Sequence, residues 1–545
     1  MLAKNQCFEM TCDAFGQDAQ GVCRHEGMAV FVPGLLPGER ALVRIVKPEK
    51  RYAFGRVEKL LEKSPSRAEP FCPIYKRCGG VCQHMTYEAS LAFKRQQVQD
   101  LLQRVGGLSI EVPPVWGMAH PFGYRNKGAY PVAQTDGAPA CGFFAPRSHD
   151  LVPLPENGCA IQGEDSAKAT QAVLNWMREN SVPAYDEQTG RGLVRHIMTR
   201  STTSGELMVV VVVTRADIPK ASRLIELLRA AVPGLCSVCL SVNSRRTNVI
   251  LGTDIRVLWG KAAMEDTLCG LRFSVSPLSF FQVNPLQTER LYGLALEYAG
   301  LTGTETVVDA YCGAGTISLL LAQKAKKVIG IEIVPEAIQN ANENAARNGV
   351  ANAEFHVGAT EELLPKLVEN GLRPDVIVLD PPRKGCDPAV LQAIIAAAPK
   401  RVVYVSCGAP TLARDAKLLA EGGYAAERVQ CVDMFCWTGA VETVMCFSKE
   451  TYPHRSVKVE FPLEGLSVAQ LQGSATYEQI KAYVLEHSGL KVSTLYIAQV
   501  KQKYGIIERE CYNKPKSEDA KQPQCPPNKE AAIVEALKFY GLIAP

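Results

Sequence analysis

The chain has 545 residues, 47% of them hydrophobic and 21% charged, with a formal net charge of +4. That length exceeds a single hydrophobic core and calls for roughly three to five domains. The composition excludes a low-complexity or disordered chain, and so mild a charge excludes a whole-protein field, so any nucleic-acid surface must be a local patch.

The opening MLAKNQCFEM lacks the apolar run of an export signal, and the longest aliphatic stretch, Leu207 to Val213, is far too short to span a bilayer. A cytoplasmic monomer with no membrane partner is expected. Nineteen cysteines in such a chain point to metal or catalytic thiols and to ordinary core packing, not to disulfides.

Residues 1–60 alternate short β-rich runs, Met28–Val32 and Arg40–Val46, with the turns Pro33-Gly34 and Pro37-Gly38. This predicts a small β-barrel of the oligonucleotide-binding kind. Lys47, Lys50, Arg51, Arg56 and Lys59 interleave with Tyr52 and Phe54, a pattern that suits a nucleic-acid-contacting strip and equally a solvated strand face.

Residues 61–275 form a central α+β segment. It opens with a cysteine loop, Cys72-Pro73-Ile74-Tyr75-Lys76-Arg77-Cys78-Gly79-Gly80-Val81-Cys82, with Cys159 downstream. Four thiolates suit an iron–sulfur cluster or zinc, although the spacing lacks the C-x-x-C pairs of zinc ribbons. A helix is predicted over Tyr87–Val105, then strands Leu207–Thr214 and Asn248–Leu251 and a helix Ile218–Ala231. Cys236 and Cys239 have redox-motif spacing but follow Pro233-Gly234 into an apolar strand and read as core. Tyr124-Arg125-Asn126-Lys127 and Arg147-Ser148-His149 mix basic and aromatic groups, suiting phosphate or base contact and equally a solvated loop.

From Thr306 the pattern becomes strand, helix, strand, helix. Thr306–Ala310, Lys327–Ile331, Ala353–Val357, Val376–Leu379 and Arg401–Ser406 read as buried parallel strands. Residues 276–450 are therefore expected to hold a doubly wound α/β domain that binds ligands at the carboxyl ends of its strands. The first strand runs into Asp309-Ala310-Tyr311-Cys312-Gly313-Ala314-Gly315, whose glycines let backbone approach a ligand. The second ends in Glu332, placed to meet ribose hydroxyls. Without the full G-x-G-x-x-G set, a dinucleotide is disfavoured and S-adenosylmethionine is the better ligand. The fourth strand ends in Asp380-Pro381-Pro382-Arg383, a rigid loop able to present a planar base. The fifth delivers Cys407, a candidate nucleophile expected to lie in a positive local field ahead of a helix. Glu442 opens a later β-run and is a candidate proton acceptor.

The motifs Ser279-Phe280-Phe281-Gln282-Val283-Asn284-Pro285, DAYCGAGT, LDPPRKG, VSCG and VETV together resemble the RNA uracil-5-methyltransferase family, and within it the branch acting on 23S ribosomal RNA. The resemblance spans residues 8–448 and implies a Rossmann-like catalytic domain. It also implies Cys407 as nucleophile, Glu442 as base, and Gln282, Tyr311, Glu332 and Asp380 as contacts to S-adenosylmethionine. The first sixty residues resemble the TRAM barrel, and the family likeness implies a [4Fe-4S] cluster on Cys72, Cys78, Cys82 and Cys159. Two departures stand out. Gly408-Ala409-Pro410 follows the nucleophile in place of Asn-Pro, and Val81 is inserted where the family has Cys-Gly-Gly-Cys.

The chemistry accounts for the pair of groups. C5 of uracil becomes nucleophilic only after a thiolate adds to C6, and a base must then remove the C5 proton so that the thiolate can leave. A cytosine enzyme fits less well, because Arg383 follows Pro382 where DNA cytosine enzymes carry their thiol. A radical enzyme would carry C-x3-C-x-x-C. Transfer RNA is the alternative substrate. A non-catalytic iron–sulfur RNA-binding protein would leave Cys407, Glu442 and the glycine loop unused.

Residues 451–545 lie outside the resemblance. Thr476-Tyr477-Glu478-Gln479 has the form of a capping box opening a helix that Gly489 ends; Ser493 caps Thr494–Lys503, and a third helix runs over Asn528–Tyr540. A small helical extension is expected, either an accessory binding module or an appendage.

Overall fold

The computed structural model describes residues 2–16, 19–79, 81–449, 477–504, 506, 524–540 and 542–543. The chain divides into two compact units, Met1–Thr451 and Tyr452–Pro545. Among the described residues no helix is long and apolar enough to cross a membrane.

Strands Cys7–Phe15, Gln20–His25, Met28–Pro33, Arg40–Pro48 and Tyr52–Glu62 close into a barrel in the order first, second, third, fifth, fourth. Period-2 alternation drives it: Val30, Val32, Ala41, Val43, Ile45 and Ala53 point inward and are fully buried. Gly55 is required where the strands converge, since a Cβ there would sit 2.4 Å from Val43. Outside, Phe31, Tyr52 and Phe54 cluster with centroids 5.6–5.9 Å apart. Part of the adjacent basic strip is already paired, Lys47 with Glu49 and Arg56 with Glu58.

The central sheet has seven strands in the order Asp254–Gly260, Leu235–Val242, Leu207–Val213, Val194–Ser201, Lys127–Thr135, Ala138–Phe144, Leu151–Pro153. Leu207–Val213 is buried along its whole length, which is why it reads as a continuous apolar run. Helices Glu164–Glu179 and Ala221–Ala231 share its core. Asn248–Leu251, expected as a strand, is loop; the pairing strand is Asp254–Gly260, whose burial is slight and whose sequence alternation is correspondingly weak. Cys239 is core as expected, and Cys236 lies beside it with its Sγ directed at the Leu207 carbonyl.

The third sheet is doubly wound. Its order is Ala353–Val357, Lys327–Glu332, Thr306–Asp309, Val376–Leu379, Arg401–Ser406, Glu442–Lys449, Tyr424–Val432. The first five strands run parallel, and Glu442–Lys449 is antiparallel to both neighbours. Four of the five parallel strands are buried as expected, but Ala353–Val357 is a half-exposed edge. Strand order reverses between Thr306–Asp309 and Val376–Leu379, which opens a ligand crevice at their carboxyl ends. Helix Tyr87–Arg104, early in the chain, sends Val98 and Leu102 into this domain's core beside Leu412 and Ala416.

The second unit contains helices Tyr477–Ser488, Thr494–Lys503 and Pro527–Phe539 around Ile480, Val484, Ile497, Ile533 and Leu537. Ser493 accepts the Tyr496 N–H at 3.3 Å, the cap expected from sequence. The capping box at Thr476 lies outside the described residues.

Candidate active site

The crevice is a cavity of about 680 Å³ lined by Gln282, Tyr311, Glu332, Asp380, Cys407 and Glu442, together with Phe280, Arg383 and Phe435. The six candidate residues, drawn from six separate segments, thus face one space.

The glycine loop forms one wall. Gly313 and Gly315 take positive φ of 53° and 81°, and a Cβ on Gly315 would crowd Ala341 and Phe355 at 3.1 and 3.2 Å. Glu332 braces the loop, accepting the Gly313 N–H at 3.2 Å and the Val334 N–H at 3.0 Å. Beneath it, Asp309 is fully buried; Ser318 donates to one oxygen at 2.6 Å, and the other oxygen has no partner.

The Asp380-Pro381-Pro382 loop forms the second wall. Asp415, buried under it, accepts the Cys386 N–H at 2.8 Å and the Tyr404 hydroxyl at 2.7 Å. Thr411 donates to the Arg383 carbonyl at 3.2 Å. Cys386 and Cys312 are buried, and burial pushes both thiols up, Cys386 to about 12, consistent with packing roles.

The third wall, Ser276 to Gln282, is held in place by residues from earlier in the chain. Arg200, on the central sheet, is buried and donates to the carbonyls of Ser276 and Ser279, the latter at 2.7 Å. Asn126 donates from its backbone to Val283 and from its side chain to Gln282, both at 2.9 Å. Asn284 donates to Met434 at 3.2 Å and caps helix Pro285–Ala299. Arg200 had no signal in sequence and Asn126 none for this role, because each acts on carbonyls that lie more than 70 residues away. In the Tyr124–Lys127 segment Tyr124 is buried, and the half-buried Arg125 and Lys127 line a second, neighbouring cavity.

Electrostatically the crevice is acidic. Burial raises Asp309 to about 6, Asp380 to about 7 with help from Asp309, and Glu442 to about 8 with help from Asp380. Arg383 opposes the rise at Glu442. Cys407 is half-buried and is pushed up to about 11, first by burial, then by Glu442 and Asp380, with Arg383 the opposing cation. The surroundings thus raise this thiol instead of easing its ionisation. Cys407 does precede helix Ala409–Glu421, yet burial and two carboxyls hold its thiol up. A cavity whose acids are held partly neutral by burial, and further by mutual repulsion, favours a cationic ligand, which a sulfonium-bearing, amino-acid-like cofactor is.

The four loop cysteines do not assemble. Cys72, Cys78 and Cys159 line the second cavity, about 450 Å³, with Phe71, Arg125 and Trp437. Cys82 is instead fully buried among Ala19, Leu36, Met85 and Phe93. Among the described residues no three His, Cys, Asp or Glu side chains converge as a metal site would need. As placed, these residues do not fit a four-thiolate cluster.

Residues 301–445 match the model of a methyltransferase domain, and residues 6–57 that of the TRAM domain. The chain is 47% identical to an uncharacterised RNA methyltransferase of Halalkalibacterium halodurans, over 81% of this chain and 96% of that one. A Clostridium acetobutylicum RNA methyltransferase is 44% identical over 82% of this chain and 98% of its own length. Among solved structures, the tRNA (uracil-54, C5)-methyltransferase of Pyrococcus abyssi in complex with S-adenosyl-L-homocysteine superposes with a TM-score of 0.66 at 26% identity, covering 81% of this chain and all of that one.

Proposed function

This chain belongs to the RNA methyltransferases that carry a TRAM domain, and we propose that it transfers a methyl group from S-adenosylmethionine to carbon 5 of a uridine. The observation that carries the proposal is the meeting of Cys407, Glu442 and Asp380 across the same cavity as the glycine loop. The cofactor, when bound, supplies the methyl group as a sulfonium electrophile. Gln282, Tyr311, Glu332 and Asp380 hold and orient it.

Cys407 adds as thiolate to C6 of uracil, and the electron pair of the C5–C6 double bond moves into an enolate that makes C5 nucleophilic. After C5 has taken the methyl group, Glu442 accepts the C5 proton, the double bond re-forms and the C6–S bond breaks to return the thiolate. With its carboxyl raised to about 8, Glu442 changes protonation close to neutral pH, as a general base should. Arg383 supplies the cation that eases ionisation of both groups. No step passes through an iron–sulfur cluster.

The proposed substrate is 23S ribosomal RNA, on the likeness to that branch, with a cytoplasmic monomer acting on it. The Pyrococcus abyssi tRNA enzyme favours transfer RNA as the second reading. RNA bearing 5-fluorouridine decides the chemistry, because fluorine cannot leave as a proton. The full chain with cofactor should form a covalent adduct mapping to Cys407, and Cys407→Ala should form none while still binding S-adenosylhomocysteine. An adduct on Cys312 or Cys386, or none at all, would sink the mechanism. Labelled transfer to separated ribosomal and transfer RNA identifies the substrate.

A further inference from the structure

The central sheet borders a third cavity, of about 300 Å³, separate from the crevice and from the cysteine loop. Part of it is built on strand Val194–Ser201. Val194 and Ile197 both pack into the core shared with helices Glu164–Glu179 and Ala221–Ala231, although strict alternation would put them on opposite faces. A bulge resolves the conflict: His196 pairs with Val212 and Val194 with Val213, leaving Arg195 as the extra residue. Arg195 and His196 both line the cavity. They are 4% and 8% exposed, and each has one buried atom without a partner, Arg195 Nε and His196 Nδ1.

The rest of the guanidinium is fixed. Nη1 donates to the Asn243 and Arg245 carbonyls at 2.8 and 2.7 Å, and Cζ stands 4.7 Å from the Tyr185 ring centre. Burial, then the Arg195 charge, holds His196 down at about 4, so its imidazole is neutral at neutral pH and can donate or accept. Tyr185, and Phe144 packed against His149 with ring centres 5.2 Å apart, add aromatic surface to the lining. His196, Met198 and Arg200 alternate along one face of the strand, and Arg200 anchors the crevice wall at Ser276 and Ser279. That anchor is about 13 Å along the strand from His196. Arg147, two residues before His149, is close enough to Lys47 of the barrel's basic strip to repel it. The cavity therefore adjoins both the barrel's cations and the support of the crevice.

Unpaired RNA is read through bases turned out of the stack, held against aromatic or guanidinium planes and hydrogen-bonded at their edges. Aromatic walls, a small volume and two unmade hydrogen bonds suit one base and not a length of backbone. We infer that this cavity takes one unstacked base of the substrate RNA, close to the target nucleotide, with Arg195 Nε donating to a carbonyl or ring nitrogen of that base and His196 completing the contact at its edge. This rests on RNA as the substrate, whichever of its atoms is methylated.

Ala133→Phe tests it by filling the cavity, which Ala133 lines. Full-length wild type and variant are compared in melting temperature, in affinity for S-adenosylhomocysteine, and in KM for whichever separated RNA, ribosomal or transfer, accepts label. The first two should hold. KM should rise about ten- to a hundredfold, the worth of one stacked base, at nearly constant kcat. An unchanged KM, or a fall in kcat alone, would overturn the inference. Ultraviolet cross-linking of the wild type to the same two RNAs, read by peptide mass, needs neither a substitution nor methyl transfer. Cross-links should include Tyr185 or Phe144, and cross-links confined to the barrel and the crevice would overturn the inference. A chain that cross-links at the cavity yet methylates no uridine would refute the uridine reading and leave the cavity's role standing.

Discussion

Replacing Glu442 by Gln should have opposite effects on turnover and on the reactivity of Cys407, and the second effect should depend on pH in a defined way. Glu442 titrates at about 8, and its charge is the second cause, after burial, of the raised Cys407 thiol at about 11. One unit below its midpoint a carboxyl is about 90% protonated. At pH 7 wild-type Glu442 is therefore mostly neutral and its amide replacement changes little at the thiol. At pH 9 the wild type carries a carboxylate that opposes the thiolate, and the variant does not. For each unit by which the thiol falls, its thiolate fraction rises about tenfold, while the lower basicity returns part of that gain at a Brønsted slope of about 0.4–0.5. The net gain is roughly three- to fourfold per unit. Alkylation of Cys407 by iodoacetamide, followed by peptide mass across pH 6.5–9.5, should give a variant-to-wild-type rate ratio near one at the acid end that climbs through about pH 8 and levels off. Over the same range methyl transfer by the variant should be lower by roughly 10²–10⁴-fold, with methylated RNA held covalently on the protein. A ratio that is flat with pH, or that falls below one, would refute the coupling between these two groups. Equal loss of turnover with no trapped RNA would reduce Glu442 to a structural role.

Lys94 and Asp433 form a fully buried ion pair at 2.5 Å, and Tyr87 donates to the same carboxylate at 2.8 Å. Lys94→Met leaves that charge stranded and should cost about 3–5 kcal/mol in denaturant unfolding. Lys94→Met/Asp433→Asn should recover much of the loss, and an unaltered single variant would mean the pair carries no stability. Truncation after Lys449 removes a unit that has its own core, so the remaining chain should keep its melting temperature and its methyl transfer to naked RNA; loss of either would make residues beyond 449 integral to the enzyme.

Much of the catalytic domain is legible in the sequence because its information is local. Buried parallel strands write themselves as short apolar runs, and their carboxyl ends are where Asp309, Glu332, Asp380 and Cys407 stand, so reading the strands also locates the ligand edge. The TRAM barrel is legible for the same reason, through period-2 alternation punctuated by Pro-Gly turns. What the sequence could not decide depends on groups brought together from far along the chain. Glu442 opens a strand in any reading, but only the antiparallel insertion of Glu442–Lys449 beside Arg401–Ser406 places it across from Cys407. Arg200 and Asn126 carry no motif, because what they recognise is backbone carbonyl geometry created by another domain. The shift of the Cys407 thiol is a sum over burial, two carboxyls and one guanidinium, none of which a helix start seen in sequence reveals. Cys82 shows the limit most sharply: four cysteines with nearly the right spacing look like a ligand set, yet Cys82 packs with Leu36 and Phe93 while Cys72, Cys78 and Cys159 line the second cavity.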